Sequence, residues 1–290
     1  MKARPARSRV AVAPDVELSL QDWGGEGPLL LLHHANGFCA GTWAEVARAL
    51  GEQARVIALD ARGHGDSSVP KGHDAYRWDL LAEDLTRVVQ HVLRDAGRER
   101  VDLMVGHSFG GTISLGAAAL PDARLRRVLA LDPVILPPGL GSGVLRGNPM
   151  AAGARRRKNV FVSRGEARQA WRAKPFFARW HPGVFEDYVE EGLREREDGR
   201  VELKCAPETE ATVFETGRHL DVFARAANVS IPVVIQWAEQ GSFSRAVYQQ
   251  LADMMAEATV ETVPTGHLVP MERPDLVVER IRALLREHPL

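Results

Sequence analysis

Cysteine is almost missing from this chain: Cys39 and Cys205 are the only two among its 290 residues. Two cannot make a disulfide framework or a cysteine-rich metal site, and they suit a reducing, cytoplasmic compartment. Neither sign of charge is in excess, with 37 Lys plus Arg against 38 Asp plus Glu and a formal net charge of −1. That balance excludes a global bias toward nucleic acid or membrane surfaces. No apolar run approaches the ~18 residues of a membrane-crossing helix. Met1 to Arg9 is basic but carries no apolar segment or cleavage site after it, so it reads as a solvated tail rather than a secretory signal. The Asn228-Val229-Ser230 sequon then has no route to glycosylation. Phosphate loops, metal-ligand spacings, internal repeats and low-complexity segments are also lacking. The expectation is a protein without cofactor or metal, a monomer or homodimer, whose partner is a small-molecule substrate.

What is present has the rhythm of an α/β domain. Val10-Ala13 and Glu17-Trp23 predict a hairpin around Pro14-Asp15. Leu29-Leu30-Leu31-Leu32-His33 and Arg55-Val56-Ile57-Ala58-Leu59 are continuous apolar runs, the pattern of strands covered on both faces. Thr42 is placed to cap a helix from Trp43 to Leu50, and Trp78 to Arg94 repeats apolar residues at helical spacing. Strands follow at 101–105 and 127–131. From Pro137-Pro138-Gly139 the alternation stops, and residues to about 230 read as amphipathic helices rich in arginine and aromatics with no strong buried strand. Pro232 to Trp237, Phe243 to Ala256, Thr259 to Val263 and Asp275 to Glu287 restore strand, helix, strand and helix. The reading is a mostly parallel sheet with helices on both faces, formed by 1–136 and 231–290, with a helical insertion over 137–230.

Chemistry-bearing residues gather where a parallel sheet collects them, at the C-terminal ends of strands. Val101-Asp102-Leu103-Met104-Val105 stops at Gly106-His107-Ser108-Phe109-Gly110-Gly111 and becomes helix-compatible at once. Strand, tight turn and helix with an apical serine expose the Ser108 hydroxyl at a helix N-terminus, where unpaired N–H groups favour negative charge. His34-Ala35-Asn36-Gly37 follows the 29–33 strand, Asp132 follows 127–131, and Thr265-Gly266-His267 follows 259–263. A serine needs a base, and the base needs a carboxylate to hold its tautomer. Ser108, Asp132 and His267 appear in that order.

With those residues in view, the chain resembles the α/β-hydrolase fold superfamily, in its capped serine-hydrolase branch. The resemblance rests on Gly106 to Gly111, on Asp60-Ala61-Arg62-Gly63-His64-Gly65-Asp66-Ser67, on His34 with Trp43, and on Gly266-His267 before Met271-Glu272-Arg273-Pro274. It implies Ser108 as nucleophile in a nucleophile elbow, His267 as base, and an oxyanion hole from the backbone N–H groups of Asn36 and Phe109. Ala35 stands where the family usually has glycine, and its methyl group narrows the approach to that hole. The family's usual aspartate after the cap is also missing, because Ala238-Glu239-Gln240-Gly241 ends in glycine. Asp132 is the natural substitute and Glu239 the alternative acid; as a plain structural residue, Asp132 would be a turn residue before Pro133. The remaining groups have simpler readings. His33, His34 and His107 read as hydrogen-bonding residues, Arg62 and Asp66 as loop-fixing ones, and the Arg155-Arg156-Arg157-Lys158 run as a solvated helix face. The resemblance implies a carboxylesterase-like serine hydrolase of esters, thioesters or lactones. Carbon–carbon hydrolysis of a β-diketone by the same triad, or a hydrolase-like binding protein with little turnover, are the alternatives.

Overall fold

Leu29-Leu30-Leu31-Leu32 has no polar residue to turn toward water, so as a strand it must be covered on both faces. The computed structural model, which describes residues 4–137 and 147–287, covers it so completely that all four are 0% exposed. Eight strands form one sheet: β1 Ala6–Ala13, β2 Val16–Asp22, β3 Leu29–His33, β4 Arg55–Leu59, β5 Leu103–His107, β6 Val128–Leu131, β10 Val233–Ala238 and β11 Ala258–Val263. Their order is β1-β2-β4-β3-β5-β6-β10-β11, antiparallel from β1 to β4 and parallel from β4 onward. Side chains alternate between faces. Leu29, Leu31, Met104 and Val128 share one core with helices α2 (Trp78–Ala96), α3 (Phe109–Ala118) and α9 (Arg245–Ala252). Leu30, Leu32, Val105 and Leu129 share the other with α1 (Ala44–Leu50) and α11 (Pro274–Glu287).

Three details depart from the sequence reading. The basic N-terminus is not a free tail from residue 6 onward: β1 pairs with β2, and Arg7 ion-pairs with Asp66 and Glu191. Thr42 does not cap a helix; its hydroxyl donates to the Cys39 carbonyl at 2.8 Å inside a 3-10 turn over Ala40–Trp43. Between β6 and β10 lie helices α4 (Pro149–Arg155), α5 (Arg164–Arg172), α6 (Pro182–Glu191), α7 (Pro207–Glu215) and α8 (Val222–Arg225), but also a small antiparallel sheet. Its strands, β7 Val160–Phe161, β8 Leu193–Glu195 and β9 Val201–Leu203, are too short to show an alternating pattern. Pro138-Gly139 and most of the glycine-rich stretch after them lie outside the described residues.

The loops after β3 and β4 are held together by buried histidines. His34 donates from Nδ1 to the Ala35 carbonyl at 2.7 Å, and its Nε2 accepts the Ala61 N–H at 3.0 Å. His64 donates from Nδ1 to the Arg62 carbonyl at 2.8 Å and accepts the Gly37 N–H on Nε2 at 3.0 Å. An acceptor nitrogen requires a neutral ring, and burial enforces it. Loss of solvation pushes His34 and His64 down to about 3 and His33 to about 4, with neighbouring histidines adding to the effect. Beneath them the buried Arg62 guanidinium forks onto Asp84, with Nη2 to Oδ1 at 2.7 Å, and Arg62 donates to the Ala75 carbonyl.

Two outcomes follow. Arg62→Met leaves the buried Asp84 with only the longer 3.9 Å ion pair to Arg87, and should lower unfolding stability by up to about 3–5 kcal/mol, read from the urea midpoint. The histidines bind protons in the unfolded chain near pH 6.5 but not in the folded one until pH 3 to 4. Stability is therefore full above 6.5 and is lost as pH falls through that window, at up to about 1.4 kcal/mol per pH unit for each ring. A urea midpoint that stays level from pH 6.5 to 4.5 would contradict this.

Candidate functional site

The turn at the end of β5 puts Ser108 at φ 55°, ψ −118°, a conformation costly for a residue with a side chain. The glycines on either side make it possible. A Cβ on Gly106 would lie 2.4 Å from the Gly110 carbonyl oxygen, and one on Gly110 would lie 2.5 Å from the carbonyl oxygens of His33 and His34. Ser108 N–H donates to the Leu131 carbonyl at 2.9 Å, and α3 begins at the next residue. The serine hydroxyl therefore stands at the positive end of a ten-residue helix.

The structure brings Ser108, His267 and Asp132 into one hydrogen-bonded chain. Ser108 Oγ is 2.9 Å from His267 Nε2, and His267 Nδ1 is 2.6 Å from Asp132 Oδ2. Asp132 is 0% exposed and sits at φ 41°, a strained position fixed by an N–H donated to the Gln236 carbonyl at 2.8 Å. Its other oxygen, Oδ1, accepts the Ala238 N–H at 3.0 Å and faces the Tyr248 hydroxyl at 3.1 Å. Glu239 is exposed and its backbone N–H pairs with Val263, so its side chain has no part in this chain among the described residues. Gly241, where the family's acid usually stands, explains itself sterically: a Cβ there would come 3.1 Å from Asp132 Oδ2.

Three residues next to the chain carried no assigned role in the sequence. Tyr248, fully buried on α9, donates to the Pro133 carbonyl at 2.7 Å while touching Asp132, and burial together with that carboxylate's charge holds its phenol well above the ordinary value. A tyrosine in an amphipathic helix gives no sequence signal of this. Glu272 accepts the Gly266 N–H at 3.0 Å and an ion pair from Arg179 at 2.9 Å, fixing the loop that carries His267. It lies in a motif quoted for the resemblance, but its contact is visible only in three dimensions. Phe243 packs on the His267 ring with centroids 5.3 Å apart. His107, buried and pushed down to about 3 by desolvation, donates from Nε2 to the His267 carbonyl at 2.8 Å.

The backbone N–H groups of Asn36 and Phe109 have no acceptor among the described residues. The Asn36 side chain is committed elsewhere, donating to the Glu210 carbonyl at 2.9 Å. Ala35 keeps an ordinary negative φ and is buried in the apolar cluster that Phe38, Leu268 and Met271 share with the inserted segment. The methyl group is thus part of that packing. Most of the basic run is neutralised: Arg155 pairs with Glu208 and Glu215, Arg157 with Glu210, and Lys158 with Glu166. Trp171, Trp180, Phe185 and Tyr188 form the core of the inserted segment. Among the described residues no group of three or more His, Cys, Asp or Glu could hold a metal ion, and no helix is long and apolar enough to cross a membrane.

Comparison with known proteins bears on the fold and the family. The mouse protein phosphatase methylesterase 1 is 38% identical over 98 residues, 33% of this chain and 25% of that protein, so the match spans about a quarter of that relative's length. The dihydrolipoyllysine-residue acetyltransferase component of the acetoin cleaving system of Pseudomonas putida is 28% identical over 279 residues, 91% of this chain and 65% of that protein. The crystal structure of E-2-(acetamidomethylene)succinate hydrolase superposes with a TM-score of 0.78 at 21% identity, covering 97% of this chain and 99% of that one, which shows the shared fold. The alpha/beta hydrolase family model matches residues 29–280, six of the eight strands of the sheet and the loops that carry Ser108, Asp132 and His267, and the chain belongs to that family.

Proposed function

We propose that this protein is a serine hydrolase that works through an acyl-enzyme on a small-molecule carboxylic ester, thioester or lactone. The observation that carries the reading is the continuous chain from Ser108 Oγ through His267 to Asp132, and the Asn36 and Phe109 amides, which have no acceptor among the described residues, support it. Family membership supports a hydrolase, and one relative's name, a methylesterase, is of the same reaction class.

In the mechanism, His267 Nε2 takes the Ser108 proton as Oγ attacks the substrate carbonyl. The carbonyl oxygen becomes an oxyanion between the amides of Asn36 and Phe109, with the α3 dipole behind it. Asp132 stabilises the imidazolium and keeps Nδ1 protonated, so that Nε2 is the basic atom. His267 then protonates the leaving group, and water deacylates the enzyme with His267 again as base. Residues 137–230 act as a cap over the strand ends, and their shape selects the substrate.

A fluorophosphonate probe should label the wild type at Ser108 and leave Ser108→Ala unlabelled. Asp132→Asn should lower kcat by roughly 10⁴, the loss expected when the triad acid no longer fixes the tautomer, while Glu239→Gln stays near wild type. The opposite pattern moves the acid to Glu239. A panel of p-nitrophenyl esters of graded length, run beside a β-diketone, separates ester cleavage from carbon–carbon cleavage.

Tyr248→Phe removes the phenol that supports Asp132 Oδ1 and the Pro133 carbonyl. Leaving buried acceptors short of a donor costs about 1–3 kcal/mol. The expected result is a loss of unfolding stability of that size together with a lower kcat at little-changed KM. A KM effect at constant kcat would place Tyr248 in substrate binding instead.

A further inference from the structure

The arginines of the inserted segment are, with few exceptions, spoken for. Arg155, Arg164, Arg168 and Arg179 each have a carboxylate oxygen within 3.0 Å, and Arg157 is hydrogen-bonded to Glu210. Arg218 differs. It has no ion-pair partner among the described residues, and its Nε is buried without any acceptor. It lines a half-enclosed cavity of about 30 Å³ whose other walls are largely apolar, among them Trp78, Val134, Leu136, Leu220 and Val222. By the same measure one water needs about 10–15 Å³, so the space suits two oxygen-sized groups and not a ring.

We propose that Arg218 and this cavity bind the carboxylate of a small molecule. A guanidinium presents its N–H groups as a planar fork that matches two carboxylate oxygens. Apolar walls strengthen that pairing and accommodate a short methylene chain. Two titratable neighbours bear on the charge. Asp221 also lines the cavity, but it is exposed and its Oδ1 is turned to the Ala224 N–H at 3.0 Å. His219, next in sequence, has a buried Nε2 without a partner. Neither neutralises Arg218.

The cavity also has a defined relation to the nucleophile. Thr112, which lines it, lies one turn beyond Ser108 on α3; its N–H donates to the Ser108 carbonyl at 3.1 Å and its hydroxyl to the Val134 carbonyl at 2.8 Å. Four residues of helix span about 6 Å. Ser108 itself does not line the cavity; the substrate form of the proposal is an ester whose acyl carbon at Ser108 is tied by a few methylenes to a carboxylate at Arg218, as in the hemiester of a short dicarboxylic acid. The carboxylate has two sources, the far end of the substrate or a separate carboxylate ligand. The first rests on the hydrolase reading and the second does not.

The test compares kcat/KM for mono-p-nitrophenyl glutarate with that for uncharged p-nitrophenyl pentanoate, in wild type, Arg218→Met and Arg218→Lys. A substrate carboxylate at this site gives a wild-type preference for the glutarate that falls at least tenfold in Arg218→Met and less in Arg218→Lys. In parallel, the Tm of Ser108→Ala protein is followed against added glutarate and acetate, with and without Arg218→Met. An Arg218-dependent rise in Tm without the kinetic preference, or without any ester turnover at all, supports the site and assigns it to a separate carboxylate. An unchanged preference in Arg218→Met together with no Arg218-dependent rise in Tm overturns the proposal.

Discussion

The hydrogen bond from His267 Nδ1 to Asp132 Oδ2, at 2.6 Å, is the constraint on which the arrangement of the strand ends depends. The two residues leave strands that are not neighbours, since β10 lies between β6 and β11. To meet, Asp132 turns back from β6 in a strained φ of 41°, and His267 leans across from the loop after β11. Strain of this kind persists only when the surroundings determine it. Here they do, through the Ala238 N–H, the Tyr248 hydroxyl and the Gln236 carbonyl on the acid's side and Glu272 and His107 on the histidine's side.

The same bond accounts for the odd glycine at 241. The loop after β10 runs beside the Asp132 carboxylate closely enough that a Cβ on Gly241 would touch Oδ2. The ends of β6 and β10 are thus two routes to one carboxylate position behind His267. In this chain Asp132 comes from the first, and a Cβ on Gly241 at the second would be crowded by Asp132 Oδ2 at 3.1 Å and by the Ala238 carbonyl oxygen at 3.0 Å. Read in sequence, the glycine looks like a missing acid. In space it is the clearance that the other acid requires.

What the sequence made legible follows from how local each signal is. The Ser108 elbow is written in six consecutive residues, with Gly106 answering a clash inside the turn and Gly110 one with the His33 and His34 carbonyls at the neighbouring strand end. The sheet is legible because strands covered on both faces must be apolar throughout, as Leu29 to Leu32 are. Asp132 is half legible: its place at a strand end can be read, but its choice over Glu239 depends on a contact 135 residues away in the chain. Arg7-Ser8-Arg9 reads as a tail because an edge strand is allowed to be charged and exposed. Tyr248 and Arg218 are invisible, since one acts through a partner 116 residues distant and the other through the partner it does not have.

The loop carrying the Asn36 amide is where sheet and insertion meet. From below, His64 holds the Gly37 N–H, and does so only as a neutral ring, which its burial ensures. From above, the Glu210 carbonyl holds the Asn36 side chain, and the Glu210 carboxylate and Arg157 crowd the Cα of Gly37 so closely that a Cβ there would meet Glu210 at 2.7 Å. Phe38 next to it is packed into the aromatic core of the insertion against Trp180 and Tyr188. An amide whose neighbours are fixed in this way cannot keep its orientation if the insertion lifts away. Under the proposed mechanism, the segment that selects the substrate therefore also sets the geometry of one of the two donors that stabilise the oxyanion, and seating of the cap and electrostatic preorganisation are one event.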